Sequence, residues 1–104
     1  VVREEVQMRV AKTDTNQKEI VEYLRSKGVS VANTATVGDG FPDIVCGFRG
    51  KNVLLEIKDG SRTPSQQKLT AKQEIFHSLW RGQIAVVNSP ETAWKEVIRL
   101  CNEA

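Results

Sequence analysis

Pro42-Asp43-Ile44-Val45-Cys46-Gly47-Phe48 and Lys51-Asn52-Val53-Leu54-Leu55-Glu56-Ile57-Lys58, read as one pair of strands, decide the fold of this chain. Both runs are short, largely apolar, and bounded by Gly, Pro or charged residues, as strands are. Arg49-Gly50-Lys51-Asn52 between them suits a two-residue turn with Gly first, the type II′ preference. With Arg49 paired to Asn52, Val45 falls opposite Glu56 and Asp43 opposite Lys58. Side chains alternate along a strand, so Asp43, Glu56 and Lys58 then share one face. Two carboxylates and an ammonium at the end of a hairpin cost stability unless a cation or substrate uses them. The hairpin therefore marks a site.

Outward from the hairpin, Asp14 or Asn16 caps a helix running to about Lys27, with Gly28 as its stop. Ile20, Leu24 and Lys27 form one stripe of that helix. Glu19 lies about 100° from Ile20, at the stripe's margin, from where it can reach inward. Val29 to Val37 reads as a strand, followed by the turn Gly38-Asp39-Gly40. Beyond the hairpin, Asp59 to Leu69 is a polar loop. Thr70-x-x-Gln73 is a capping-box signature that opens a second helix, closed by Gly82. Ile84-Ala85-Val86-Val87 reads as a strand buried on both faces. Ser89 caps a third helix with Pro90 first and Ala93, Trp94, Val97, Ile98 and Cys101 at helical spacing. Val1 to Ala11 alternates weakly at Val6, Met8 and Val10, as an edge strand or an arm would. The expected order is α-β-β-β-α-β-α, an α/β domain with a central mixed sheet flanked by helices.

At 104 residues the chain has room for one domain, 1–104, with one modest core. A formal net charge of +2 is too small to argue for nucleic acid by itself. Charge is better read locally: Lys58, Arg62, Lys68 and Lys72 face a single Asp59 over that stretch. Such a stretch beside a carboxylate site fits a polyanionic substrate, although alone it reads as a solvated loop. No apolar run is long enough to cross a bilayer and no signal-peptide pattern opens the chain, so no membrane partner is expected. Cys46 and Cys101 sit in apolar patterns without ligand-like spacing, which predicts buried free thiols in a reducing compartment and disfavours zinc.

Phosphodiester hydrolysis needs an activated water and neutralised charge on the phosphate. A hard divalent cation, Mg²⁺ or Mn²⁺, does much of this through carboxylate and carbonyl oxygens. Asp43 and Glu56 supply two such oxygens and the Ile57 backbone carbonyl a third. Lys58, on the face of Glu56, is placed to orient the attacking water, whereas the Ile57 side chain points into the core.

Pro42-Asp43, twelve intervening residues, then Glu56-Ile57-Lys58 matches the Pro-Asp…(Asp/Glu)-x-Lys nuclease signature. Gly40-Phe41-Pro42-Asp43-Ile44, Leu55-Glu56-Ile57-Lys58-Asp59-Gly60 and Leu69-Thr70-Ala71-Lys72-Gln73 resemble the three blocks of the virus-type replication-repair nuclease (VRR-NUC) family. The resemblance spans roughly Asp14 to Asn88. It implies a PD-(D/E)XK, restriction-endonuclease-like fold and a metal-dependent DNA endonuclease. Asp43 and Glu56 match the metal-binding acids, Lys58 the catalytic lysine, Glu19 a further acid brought to the metal, and Gln73 a helix glutamine near the site. It further implies a stand-alone homodimer in the cytoplasm of a bacterial or phage-infected cell, acting on branched DNA or a four-way (Holliday) junction. Arg62, Lys68 and Lys72 are the expected DNA contacts.

Several of these residues have rival roles. Glu19 follows Asn16 by three residues and Gln73 follows Thr70 by three, so each completes a capping box as readily as it serves the site. For Gln73 the two duties look mutually exclusive. Asp39 is a rival metal ligand, but glycine on both sides favours a turn. His77, the only histidine, is a candidate general acid, against which stands an ordinary exposed or satisfied histidine. Trp80 and Trp94 read as core or dimer-interface residues. Two other functions remain open: a non-catalytic nucleic-acid-binding module on the nuclease fold, and a simple nicking or restriction-like nuclease.

Overall fold

The computed structural model describes residues 15–103. The alternation at Val6, Met8 and Val10 and the capping option at Asp14 lie outside the described residues. Those residues form α1 (Thr15–Ser26), β1 (Ser30–Asn33), β2 (Ile44–Phe48), β3 (Lys51–Ile57), a 3₁₀ turn (Pro64–Gln67), α2 (Ala71–Leu79), β4 (Gln83–Val87) and α3 (Pro90–Cys101). The four strands make one mixed sheet in the order β1-β2-β3-β4. β1, β2 and β3 are antiparallel neighbours, and β4 runs parallel to β3. No described helix is long and apolar enough to cross a membrane.

Alternation along β3 divides the molecule. Val53, Leu55 and Ile57 join Ile20 and Leu24 of α1 and Ala93, Val97, Leu100 and Cys101 of α3 in the core. Leu54 and Glu56, also buried, project from the opposite side of the sheet. The α1 stop follows from its chain chemistry. Gly28 takes φ +89°, and the N–H groups of Gly28 and Val29 return to the carbonyls of Arg25 and Leu24. This is a Schellman ending, which only a residue free of a Cβ enters without cost, and it delivers Val29 into the core. At α3, the Ser89 hydroxyl accepts from the Thr92 N–H and Pro90 opens the helix, as its sequence requires.

Four expectations are corrected. The hairpin turn is Arg49-Gly50, with Phe48 opposite Lys51. Both turn residues have positive φ, +54° and +78°, making it type I′ in geometry rather than II′. Arg49 tolerates this conformation while stacking on Phe48 and donating to Asn102 Oδ1. The first strand ends at Asn33 instead of Val37. Thr34 stops it by donating its N–H to Asp43 O and its hydroxyl to Pro42 O, both at 2.8 Å. The second helix ends at Leu79, with Trp80 already extended. Finally, β4 lies at an edge of the sheet, and Val86, paired with Glu56 on the face opposite the core, is exposed instead of buried.

α2 stands apart from the α1–α3 layer. Its N-terminal backbone rests against Gly40, where a Cβ would lie 2.4 Å from Lys72 O, and Phe41 meets Phe76 edge to face at 5.2 Å. The three-residue turn Gly38-Asp39-Gly40, all at positive φ, makes that approach possible.

Candidate active site

The candidate site lies where β3 ends, under the first turn of α2. The observed register sets Val45 opposite Leu54 and Ile44 opposite Leu55, two residues from the expected pairing of Val45 with Glu56. A slip of two preserves the face of every side chain, whereas a slip of one would have reversed it. Glu56 and Lys58 are accordingly together. Asp43, just before β2, donates its backbone N–H to Leu55 O at 3.1 Å. Its Oδ2 accepts the Ile57 N–H at 2.8 Å. The carboxylate thus completes the ladder where β2 begins, and one of its oxygens is committed to that bond.

Glu56 is 2% exposed, and a carboxylate that deep needs partners. Gln73 Nε2 donates to Glu56 Oε2 at 3.0 Å, and Lys58 Nζ lies 3.8 Å from the same oxygen. Gln73 Oε1 accepts from Lys58 Nζ at 2.8 Å and from the Thr70 N–H at 2.9 Å. The expected conflict between capping and site duty therefore does not arise. A primary amide presents a donor end to the acid and an acceptor end with two lone pairs, one for the cap and one for the lysine. The capping box orients Gln73, and Gln73 in turn holds Glu56 and Lys58 in register. The Lys58 side chain is itself largely buried, 14% exposed.

Two residues at the site were missed or undervalued in the sequence. Asn16 lies inside α1 rather than at its cap. Its Nδ2 donates to Lys58 O at 2.9 Å and to Asn88 O at 3.3 Å, tying together the chain beyond β3 and β4. No sequence signal separates this role from capping. His77 is half-buried, and its Nε2 is buried with no hydrogen-bond partner among the described residues. Burial and, after it, the charge of Lys58 hold its pKa below the ordinary histidine value. Its spacing of four from Gln73, which puts both on one face of α2, was the available signal.

Other expected site residues lie outside the cluster. Glu19 is exposed on α1, and among the described residues no three His, Cys, Asp or Glu side chains converge to hold a metal ion. Asp39, 95% exposed, serves the turn and lies 3.9 Å from Lys72 Nζ. Arg62 and Lys68 are exposed in the 59–69 loop, and Lys72 is exposed on α2. Arg62 folds back toward Asp59, whose carboxyl is held below the usual range by hydrogen bonds from Ser61 and then by Arg62. Trp80 is exposed and stacked on Phe76, not in the core, whereas Trp94 packs against the core beside Phe48. Cys46 and Cys101 are buried free thiols, and burial pushes Cys46 up to about 12.

Compared with known proteins, the chain matches no family model, no curated protein and no solved structure. The chemistry of the site must speak for itself. Asp43 and Glu56 are hard oxygen donors, and the Ile57 carbonyl belongs to the residue that Asp43 grips. Mg²⁺ commonly binds through one or two carboxylates, keeping several waters and taking substrate phosphates as further ligands. By donor type, Asp43, Glu56 and the Ile57 carbonyl would suit such an ion better than one needing an all-protein cage.

Proposed function

We propose that this protein is a divalent-metal-dependent DNA endonuclease with a PD-(D/E)XK fold of the VRR-NUC type, cutting branched DNA or four-way junctions. The observation that carries this reading is the Glu56–Gln73–Lys58 hydrogen-bonded cluster at the end of β3. A buried carboxylate and an ammonium held together by one amide are expensive to assemble, and a purely structural surface ion pair requires no such scaffold. Asp43, bonded to the next residue of the same strand, adds a second acid.

Asp43 and Glu56, with the Ile57 carbonyl, would hold Mg²⁺ or Mn²⁺. When bound, that ion supplies charge neutralisation and a water of lowered pKa. Lys58 orients the attacking water and stabilises negative charge on the phosphate. Gln73 keeps the lysine and Glu56 from drifting apart. Glu19 joins only if α1 or its side chain moves inward. Arg62, Lys68 and Lys72 would contact the DNA backbone, a positioning role without sequence readout. The protein would work as a homodimer, presenting one site to each of two strands, in a reducing cytoplasm where its cysteines stay thiols.

The test is cleavage of matched four-way-junction, flap and duplex DNA with Mg²⁺, Mn²⁺ or Ca²⁺, beside a measurement of solution mass. Mg²⁺ and Mn²⁺ should support junction cleavage and Ca²⁺ binding with little turnover. Asp43→Asn, Glu56→Gln and Lys58→Ala should each abolish cleavage. Junction cleavage at the normal rate by Lys58→Ala would remove the proposed role of that lysine.

A further inference from the structure

Among the described residues, His77 Nε2 is a buried ring nitrogen without a hydrogen-bond partner, a state that costs about 1–3 kcal/mol and calls for an explanation. The residue projects from α2 one turn after Gln73, on the same face, and Gln73 Oε1 holds Lys58 Nζ at 2.8 Å. The Lys58 ammonium has three N–H donors. One is used on Gln73, while Glu56 Oε2, at 3.8 Å, is an ion-pair partner beyond hydrogen-bond reach. The lysine thus has donors to spare at Gln73, one helical turn from a ring nitrogen that has no partner among the described residues. The ring is neutral near pH 7, because burial and the lysine's own charge both disfavour imidazolium. A neutral imidazole keeps one unprotonated nitrogen able to accept.

We propose that His77 is a positioning residue for Lys58: its Nε2 is the acceptor to which the ammonium turns when Glu56 engages a ligand of its own. This role rests on the nuclease reading of the site. In the resting arrangement the lysine leans toward Glu56 and Gln73. Once the carboxylate is occupied, that attraction weakens, and Nε2 keeps the ammonium directed within the site instead of releasing it to solvent.

His77 is the only histidine in the chain, so imidazole ¹⁵N spectra of the untagged protein report it alone. Near neutral pH the ring should carry its proton on Nδ1, leaving Nε2 unprotonated. Adding Ca²⁺ should shift Nε2 toward the value of a hydrogen-bonded nitrogen, and Lys58→Met should erase that response while the Gln73 side-chain amide still responds. In turnover, His77→Phe should lower kcat about tenfold with KM unchanged, and His77→Gln, which restores an acceptor, should recover most of it. A proton on Nε2, or an undiminished Ca²⁺ response in Lys58→Met, overturns the proposal. If Ca²⁺ moves the Gln73 amide but not His77, the histidine's role falls and the cation site stands. If it moves neither, the cation reading of the site falls and the role of His77 with it.

Discussion

Replacing Gln73 tests the site without reference to its activity. Gln73→Ala removes three bonds at once: the cap to the Thr70 N–H, the bond from Lys58 Nζ and the donor to Glu56 Oε2. A lost cap costs about 1 kcal/mol, and stripping a donor from a buried carboxylate about 1.5–3 kcal/mol. These two losses come to about 3 kcal/mol, before any cost at the Lys58 ammonium, whose side chain is only 14% exposed. Gln73→Glu separates the terms, since it keeps the oxygen that serves the cap and the lysine but sets a second carboxylate against Glu56 at about the present 3.0 Å. Two carboxylates so close share a proton, and the pair binds it more tightly than a free Glu does near pH 4.3. The sign follows from proton uptake by the folded state. Stability is fully present below the ordinary glutamate value and is lost as pH rises through the raised value of the pair. Urea unfolding at pH 5 and pH 8 should therefore show Gln73→Glu close to wild type in acid and well below it in base, with Gln73→Ala weakened at both. An equal deficit for Gln73→Glu at the two pH values would refute the contact between Gln73 Nε2 and Glu56.

Three further outcomes follow from the geometry. Asp43→Ala should cost about 1–3 kcal/mol because it orphans the Ile57 N–H, and Asp43→Asn should cost less; equal losses in urea unfolding would deny the bond. Gly40→Ala adds a clash with Lys72 O to a positive-φ penalty, for about 2–4 kcal/mol, whereas Gly50→Ala meets open space and should lose about 1 kcal/mol; similar losses would mean that α2 does not press on Gly40. Removing Arg62, Lys68 or Lys72 should weaken DNA binding uniformly across sequences and reduce the salt slope by about 0.9 per lost duplex phosphate contact, measured by fluorescence anisotropy over a salt series; an unchanged slope would remove that residue from the interface.

Features that depend on neighbours in the chain were legible before any fold was known. Period-two alternation put Glu56 and Lys58 on one face, and that survived a two-residue error in register because face depends only on parity. Gly28, Ser89 and Pro90 announced helix ends through φ and capping chemistry that any chain obeys. Tertiary structure decided what depends on distant partners. Thr34 stopped β1 with bonds to Pro42 and Asp43, and β4 became an edge because no further described strand pairs with it. Gln73 could be both cap and site residue only once α2 was laid over the end of β3. Asn16 acquired meaning only when the fold set its amide against Lys58 O, and His77 only when packing buried its Nε2. Local rules fix direction and periodicity, but whether a buried polar atom has a partner is settled by packing between segments far apart in the chain.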